Sequence, residues 1–306
     1  MVTIRKAKGE DGDVGPSDYI LYKSGGGSLK IYLFGAHITS YKVNGVEKTW
    51  MSTLSCLDGA KPMRGGVPIA FPQFADEGPL ALHGFARESI WKVEGGAGEE
   101  GVVFVLEDDE KTRKLWQHSF RLEYRVKLNE EGDELDLSLK VVNKGSSPFT
   151  FGGCLHTYFA MDAMDTKISG LGGCEFIDKC DSRSVKKQDD EKITIPEEAH
   201  RSAKDAGKQE EMGFVDRVYL NTGSPKEFEI SVASSGAPIF KVLHNGFPDT
   251  TLYNPYTGDK QGPGFPDFDD EGYKKIICLE PTIGEANRVV LEGGGEWEGG
   301  QRVKVM

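Results

Sequence analysis

Residues 120–141 read F-R-L-E-Y-R-V-K-L-N-E-E-G-D-E-L-D-L-S-L-K-V. Phe120, Leu122, Tyr124, Val126 and Leu128 fall on one side, and Arg121, Glu123, Arg125 and Lys127 on the other. Past Asn129-Glu130-Glu131-Gly132, Leu135, Leu137, Leu139 and Val141 alternate against Asp136, Ser138 and Lys140. Successive side chains of a strand point to opposite faces, so a period of two over neighbouring runs predicts a hairpin with one buried face. The Asn-Glu-Glu-Gly segment is its turn.

Working outward, the same chemistry repeats in short pieces. Upstream, residues 19–23, 28–34, 37–43, 47–51, 90–94 and 101–107 read as strands separated by Gly-rich turns. Downstream, residues 148–159 read as one long strand through His156, and 167–178 as two short ones. Residues 215–220, 227–232, 239–243, 251–254, 275–279 and 303–305 complete the series. Residues 108–116 suit a turn or short helix, and the charged 196–213 a helix or ordered loop. Short strands at regular spacing with little helix predict an all-β antiparallel sandwich. No repeat or low-complexity linker divides it, so one domain is expected over 18–306 after a flexible lead-in, 1–17.

The 39 glycines among 306 residues fit a turn-rich chain. A formal charge of -12 argues against a nucleic-acid partner, which needs a basic face. Five cysteines without a C-x-x-C suggest reduced thiols in the cytoplasm rather than a disulfide framework. No apolar stretch approaches the ~20 residues that span a bilayer. The six histidines show no metal-ligand spacing, and P-loop, dinucleotide-loop and nucleophile-elbow motifs are missing, so neither metal nor cofactor is expected.

Chemistry then falls to side chains working as acids and bases. Residues 64–87, R-G-G-V-P-I-A-F-P-Q-F-A-D-E-G-P-L-A-L-H-G-F-A-R, place Arg64 and Arg87 around a Gly- and Pro-stiffened loop holding Gln73 and His83. Guanidinium forks grip phosphate or carboxylate, so the stretch suits a small anion. A surface loop paired to nearby carboxylates is the alternative. His156, in G-G-C-L-H-T-Y-F, is a polar ring in an apolar run: a satisfied core histidine or an acid–base group. Glu280 closes K-K-I-I-C-L-E, as a solvated strand end or a functional carboxylate. Asp216, in F-V-D-R-V-Y-L-N, either pairs with Arg217 or serves a site.

Together, R-G-G-V-P-I-A-F-P-Q-F, L-H-G-F-A-R-E-S-I-W, L-H-T-Y-F, V-D-R-V-Y-L-N, Y-N-P-Y and I-C-L-E-P resemble the glucose-6-phosphate 1-epimerases, a branch of the aldose 1-epimerase superfamily that includes the apospory-associated protein C group. The resemblance implies a galactose-mutarotase-like β-supersandwich. It makes His156 the general acid at the ring oxygen and Glu280 the general base at the anomeric hydroxyl. It gives His83 and Asp216 the sugar hydroxyls, and Arg64 and Arg87 the 6-phosphate, with Gln73 helping. Family members often carry Trp at the positions of Phe71 and Tyr256, and residues 262–270 are unusual in Gly, Pro and Phe.

Those residue types suffice for interconverting anomers. One group takes the O1 proton, another protonates O5, and rotation about C1–C2 presents the other carbonyl face. A neighbouring carboxylate is expected to raise His156 so that it carries a proton to give. The expected partner is a hexose 6-phosphate bound by a cytoplasmic monomer, with no membrane or nucleic acid. The rivals are a mutarotase for unphosphorylated aldoses, a non-catalytic sugar-phosphate binder, and a glycoside hydrolase using Asp216 and Glu280.

Overall fold

The computed structural model describes residues 2–5, 18–94, 101–205, 214–255 and 265–306, with 2–5 and 202–205 described by backbone alone. The hairpin forms where the alternation puts it. Phe120–Leu128 pairs antiparallel with Glu134–Asn143, Leu122 facing Val141 and Leu128 facing Leu135. Leu122, Tyr124, Val126, Leu137 and Val141 are fully buried. Each such side chain removed from water contributes about 1.5–3 kcal/mol.

The hairpin lies within a nine-stranded sheet. Its order is Lys192–Thr194, Thr166–Ser169, Lys226–Val232, Pro238–Asn245, Glu296–Val305, Glu134–Asn143, Phe120–Leu128, Val102–Glu107 and Lys92–Val93. A second sheet runs Ser184–Lys187, Glu175–Asp178, Val215–Tyr219, Asp249–Asn254, Ile276–Ile283, Gly153–Leu155 and Ile69–Ala70, and Tyr158–Ala160 also pairs with Ile276–Ile283. A five-stranded sheet takes Val2–Arg5, Tyr19–Ser24, Gly27–Tyr32, His37–Val43 and Val46–Glu47 in chain order. Ile31, Leu122, Leu252 and Leu279, from the three sheets, join one hydrophobic core. The all-β sandwich is therefore present. Two α-helices lie among the described residues: Glu110–Leu115, capped by Asp109, and Ile195–Asp205. None of the described helices is long and apolar enough to cross a membrane.

Three expected elements differ. Residues 148–159 are not one strand but Phe149–Phe151, Gly153–Leu155 and Tyr158–Ala160. The ladder to Ile69–Ala70 runs on in register to Pro68 and Pro72, whose carbonyls accept from the His156 and Gly152 amides but which have no N–H to return, so the pairing is interrupted there. Glu280 does not end its strand, which continues through Pro281 to Ile283, buried at every position. The terminal strand spans Glu296–Val305, although Gly299 and Gly300 hide it from an apolar pattern. At Gly300 a Cβ would lie 2.3 Å from Leu137 O, so close backbone approach requires glycine there. Tyr256 and residues 262–264 lie outside the described residues.

Candidate active site

Cross-strand register builds the floor of a cavity of about 470 Å³. Asp216 stands opposite Tyr253, Tyr253 opposite Cys278, and Thr251 opposite Glu280, all on one face of the second sheet. Arg217, Leu252 and Leu279 take the other face, where Arg217 meets Glu198 and lies 4.5 Å from the Phe176 ring. Asp216 and Arg217 thus point apart, and the ion pair between them does not form.

His156 enters where the neighbouring strand breaks. The Thr157 amide bonds back to Leu155 O at 3.0 Å, closing a one-residue turn that carries the imidazole. Nδ1 of His156 lies 3.1 Å from Oε1 of Glu280, off the line of a hydrogen bond. Both Nδ1 and Glu280 Oε2 are buried without a hydrogen-bond partner. The Tyr158 ring stacks on the imidazole at 4.5 Å and 8°, with its hydroxyl 3.4 Å from Nε2.

The 64–87 segment forms one wall. Its glycines allow the tight course: Gly66 has φ +65°, and a Cβ there would meet Ile38 O at 2.1 Å. His83 turns its ring into the cavity, 5.4 Å from that of His156. Its Nδ1 accepts from the Ala75 amide at 3.2 Å, which leaves Nε2–H as a donor toward a ligand. Arg64 also lines the cavity, with Nε 3.3 Å from both carboxylate oxygens of Asp267 and Phe265 5.1 Å over the guanidinium. Arg87 donates from Nη2 to Leu82 O at 2.7 Å, while its buried Nε has no partner. Gln73 faces away: its amide bonds Ala75 O, Leu80 O and the Leu80 amide, bracing the loop rather than lining the cavity.

Comparison with known proteins now has a fold and a cavity to stand on. Residues 18–304 match the family described as aldose 1-epimerase. The chain belongs to that family. A Cenchrus ciliaris protein named "Putative glucose-6-phosphate 1-epimerase" is 31% identical over 88% of this chain and 79% of its own length. A Salmonella typhimurium protein of the same name is 30% identical over 85% of this chain and 81% of its own. The crystal structure of YeaD from Salmonella typhimurium, described as a "putative mutarotase", superposes with a TM-score of 0.75 at 28% identity, covering 94% of this chain and 90% of that one. Galactose 1-epimerase from Lactobacillus acidophilus shares the fold, with a TM-score of 0.69 at 14% identity over 100% of this chain and 98% of that one.

Electrostatics in this epimerase depart from one expectation. Burial, then the charges of Arg64 and Arg87, push His156 well below the ordinary histidine value, the reverse of the expected rise. Burial lifts Glu280 well above the usual carboxylate range, against a contact from the Cys154 thiol. His83 is held low by burial and by His156 and Arg87, and so is a neutral hydrogen-bond donor. Asp216 is raised by burial, with Lys179 opposing. Burial works against the Arg64 charge, and Tyr158 and Asp267 more than offset it.

The cavity also holds residues given no role above, two of which, Tyr158 and Tyr253, lie inside the quoted motifs. Lys179 and Arg183 reach it from the segment after Glu175–Asp178, and Tyr158, Thr251 and Tyr253 from strands. His156, Cys278 and Glu280 have donor atoms within 4.8 Å of one another, the one described cluster able to meet a metal ion. Burial favours the protonated thiol and carboxyl there, which suits proton exchange better than cation binding. A wider hollow of about 830 Å³ beside Trp50, Met51 and Met161 has no imidazole facing a carboxyl.

Proposed function

We propose that this epimerase interconverts the α and β anomers of hexose 6-phosphates, glucose 6-phosphate first among them. Glu280 exchanges a proton with O1 and His156 with O5. His83 and Asp216 hold ring hydroxyls, and Arg64 and Arg87 hold the phosphate. The observation that carries the reading is an imidazole and a carboxyl 3.1 Å apart at the floor of a cavity whose wall bears Arg64. Arg87 adds a second guanidinium close enough to Arg64 to be repelled by it, and its Nε still lacks an acceptor. Arg64, Lys179 and Arg183 line the cavity and Arg87 does not, and that cationic wall suits a dianion better than a neutral sugar.

In ring opening, the base takes the O1 proton as the acid protonates O5 and the C1–O5 bond breaks. Closure on the other carbonyl face returns both protons. The pair therefore alternates between imidazolium with carboxylate and imidazole with carboxylic acid, carrying one proton throughout. Burial favours the second state, the one that accompanies the open aldehyde. A bound phosphate offsets the arginine charges that depress His156 and moves the pair toward the first. The unit that does this work is residues 18–306, acting as a monomer in the cytoplasm.

The test is anomer exchange followed by proton NMR on glucose 6-phosphate and on glucose. His156→Ala and Glu280→Ala should each slow exchange by about 10²–10⁴-fold without unfolding the protein. Arg64→Ala should raise KM for glucose 6-phosphate about ten- to hundredfold and leave that for glucose unchanged. Full rate in either alanine variant sinks the acid–base roles, and equal KM changes on the two sugars sink the phosphate grip.

A further inference from the structure

The ladder between Ile276–Ile283 and its neighbours stops at Cys154 opposite Thr282 and resumes at Tyr158 opposite Cys278. Pro281 has no amide to offer in the gap, and the Leu279 carbonyl falls within it. Gln301, from the facing nine-stranded sheet, reaches across. Its Nε2 donates to Leu279 O at 2.9 Å, and its Oε1 accepts from the Thr157 hydroxyl. Thr157 follows His156 in the chain, and Leu279 precedes Glu280. One amide is thus tied to the immediate neighbours of both members of the acid–base pair.

The amide itself is fixed from behind. His244, opposite Gln301 in the sheet, places Nε2 3.0 Å from Gln301 Nε2 and Nδ1 3.1 Å from the Thr250 hydroxyl. Because the Gln301 nitrogen is a donor, His244 Nε2 accepts and Nδ1 donates to Thr250. Gln301, Thr157 and His244 are each at most 2% exposed. No solvent competes for these bonds, and the chain of partners leaves the amide one orientation.

We infer that Gln301 is a positioning residue that sets the separation of His156 and Glu280 from outside the cavity. The inference rests on the acid–base roles assigned above. An error of about 1 Å in such a pair can cost up to ~10²-fold in rate. The cost should appear in kcat, because Gln301 is not among the residues that line the cavity.

The experiment compares Gln301→Leu and Thr157→Val with the intact protein, on glucose 6-phosphate and on glucose, well below each variant's melting temperature. Thr157→Val keeps shape and removes only one of the two ties, so it serves where Gln301→Leu does not fold. We expect kcat to fall about tenfold or more in Gln301→Leu and severalfold in Thr157→Val, on both sugars alike, with KM within about twofold. The plateau of kcat against pH should narrow as the pair uncouples. A folded variant with wild-type kcat and profile, or with only KM changed, overturns the positioning role. If His156→Ala also keeps its rate, the acid–base reading has failed; if it is inactive while Gln301 variants work normally, only the positioning role has.

Discussion

In the reaction proposed above, His156 and Glu280 act as a pair that carries one proton rather than as a ready acid beside a ready base. With burial and two arginines pushing His156 down, a second proton binds only well below the histidine value. With burial pushing Glu280 up, the last proton leaves only well above the carboxylate value. Activity should therefore hold a plateau through neutral pH and fall on both sides as the pair gains or loses a proton. Arg87→Ala removes one of the charges depressing His156, so the acid limb of kcat should move to higher pH. An unmoved limb would mean that the Arg87 charge does not reach the imidazole. At this scale the sequence was partly legible. An imidazole inside an apolar run and a carboxylate among Ile, Cys and Leu announce themselves by the cost of burying them. Lys179 did not, because only the pairing of distant strands brings it to the cavity. Gln73 has the right chemistry for a sugar, but the loop that it closes claims its amide.

Elements explain why His156 looked like part of a continuous strand. Prolines on the partner strand, which accept but cannot donate, leave no mark in the hydrophobic pattern of 148–159, so the break at His156 and Thr157 was invisible. The hairpin at 120–141 was plain because one face is core and the other solvent. Glu296–Val305 was mostly hidden because glycines replace side chains where backbones meet. The charged pattern of 196–213 suits helix and loop alike, and the sheet decides for a helix over Ile195–Asp205. Buried Glu198 reaches Arg217, which is also buried and 3.4 Å from Gln188 Oε1. Removing one partner of such a pair strands a charge. Glu198→Ala should cost about 3–5 kcal/mol in urea unfolding. A loss below about 1 kcal/mol would show that the helix docks by its apolar side chains alone.

Over the whole molecule, buried histidines couple stability to acid. His37 is enclosed, donates from Nε2 to Gly65 O, and is lowered to about 4, chiefly by burial. Its unfolded value is near 6.5, so between those limits the unfolded chain binds a proton that the folded one refuses. Stability is complete above that unfolded value and falls as pH drops toward the folded one. The amount is about 2 kcal/mol at pH 5. Raised carboxyls at Asp216, Asp249 and Glu280 act with the opposite sign. The histidine effect should therefore be read as a difference. Between pH 7.5 and 5 the intact protein should lose about 2 kcal/mol more than His37→Gln. Parallel losses would mean that His37 titrates normally inside the fold.

The position of Glu296–Val305 has a consequence for how the protein is made. It lies between Pro238–Asn245 and Glu134–Asn143, so the nine-stranded sheet stays in two separate halves until it arrives. A ribosome delivers it after every other strand described, which leaves two unpaired sheet margins waiting in the nascent chain. Those margins are a template for self-association. Slow translation before residue 296 should lengthen that exposure and increase the demand for chaperones, even though each earlier strand is already made.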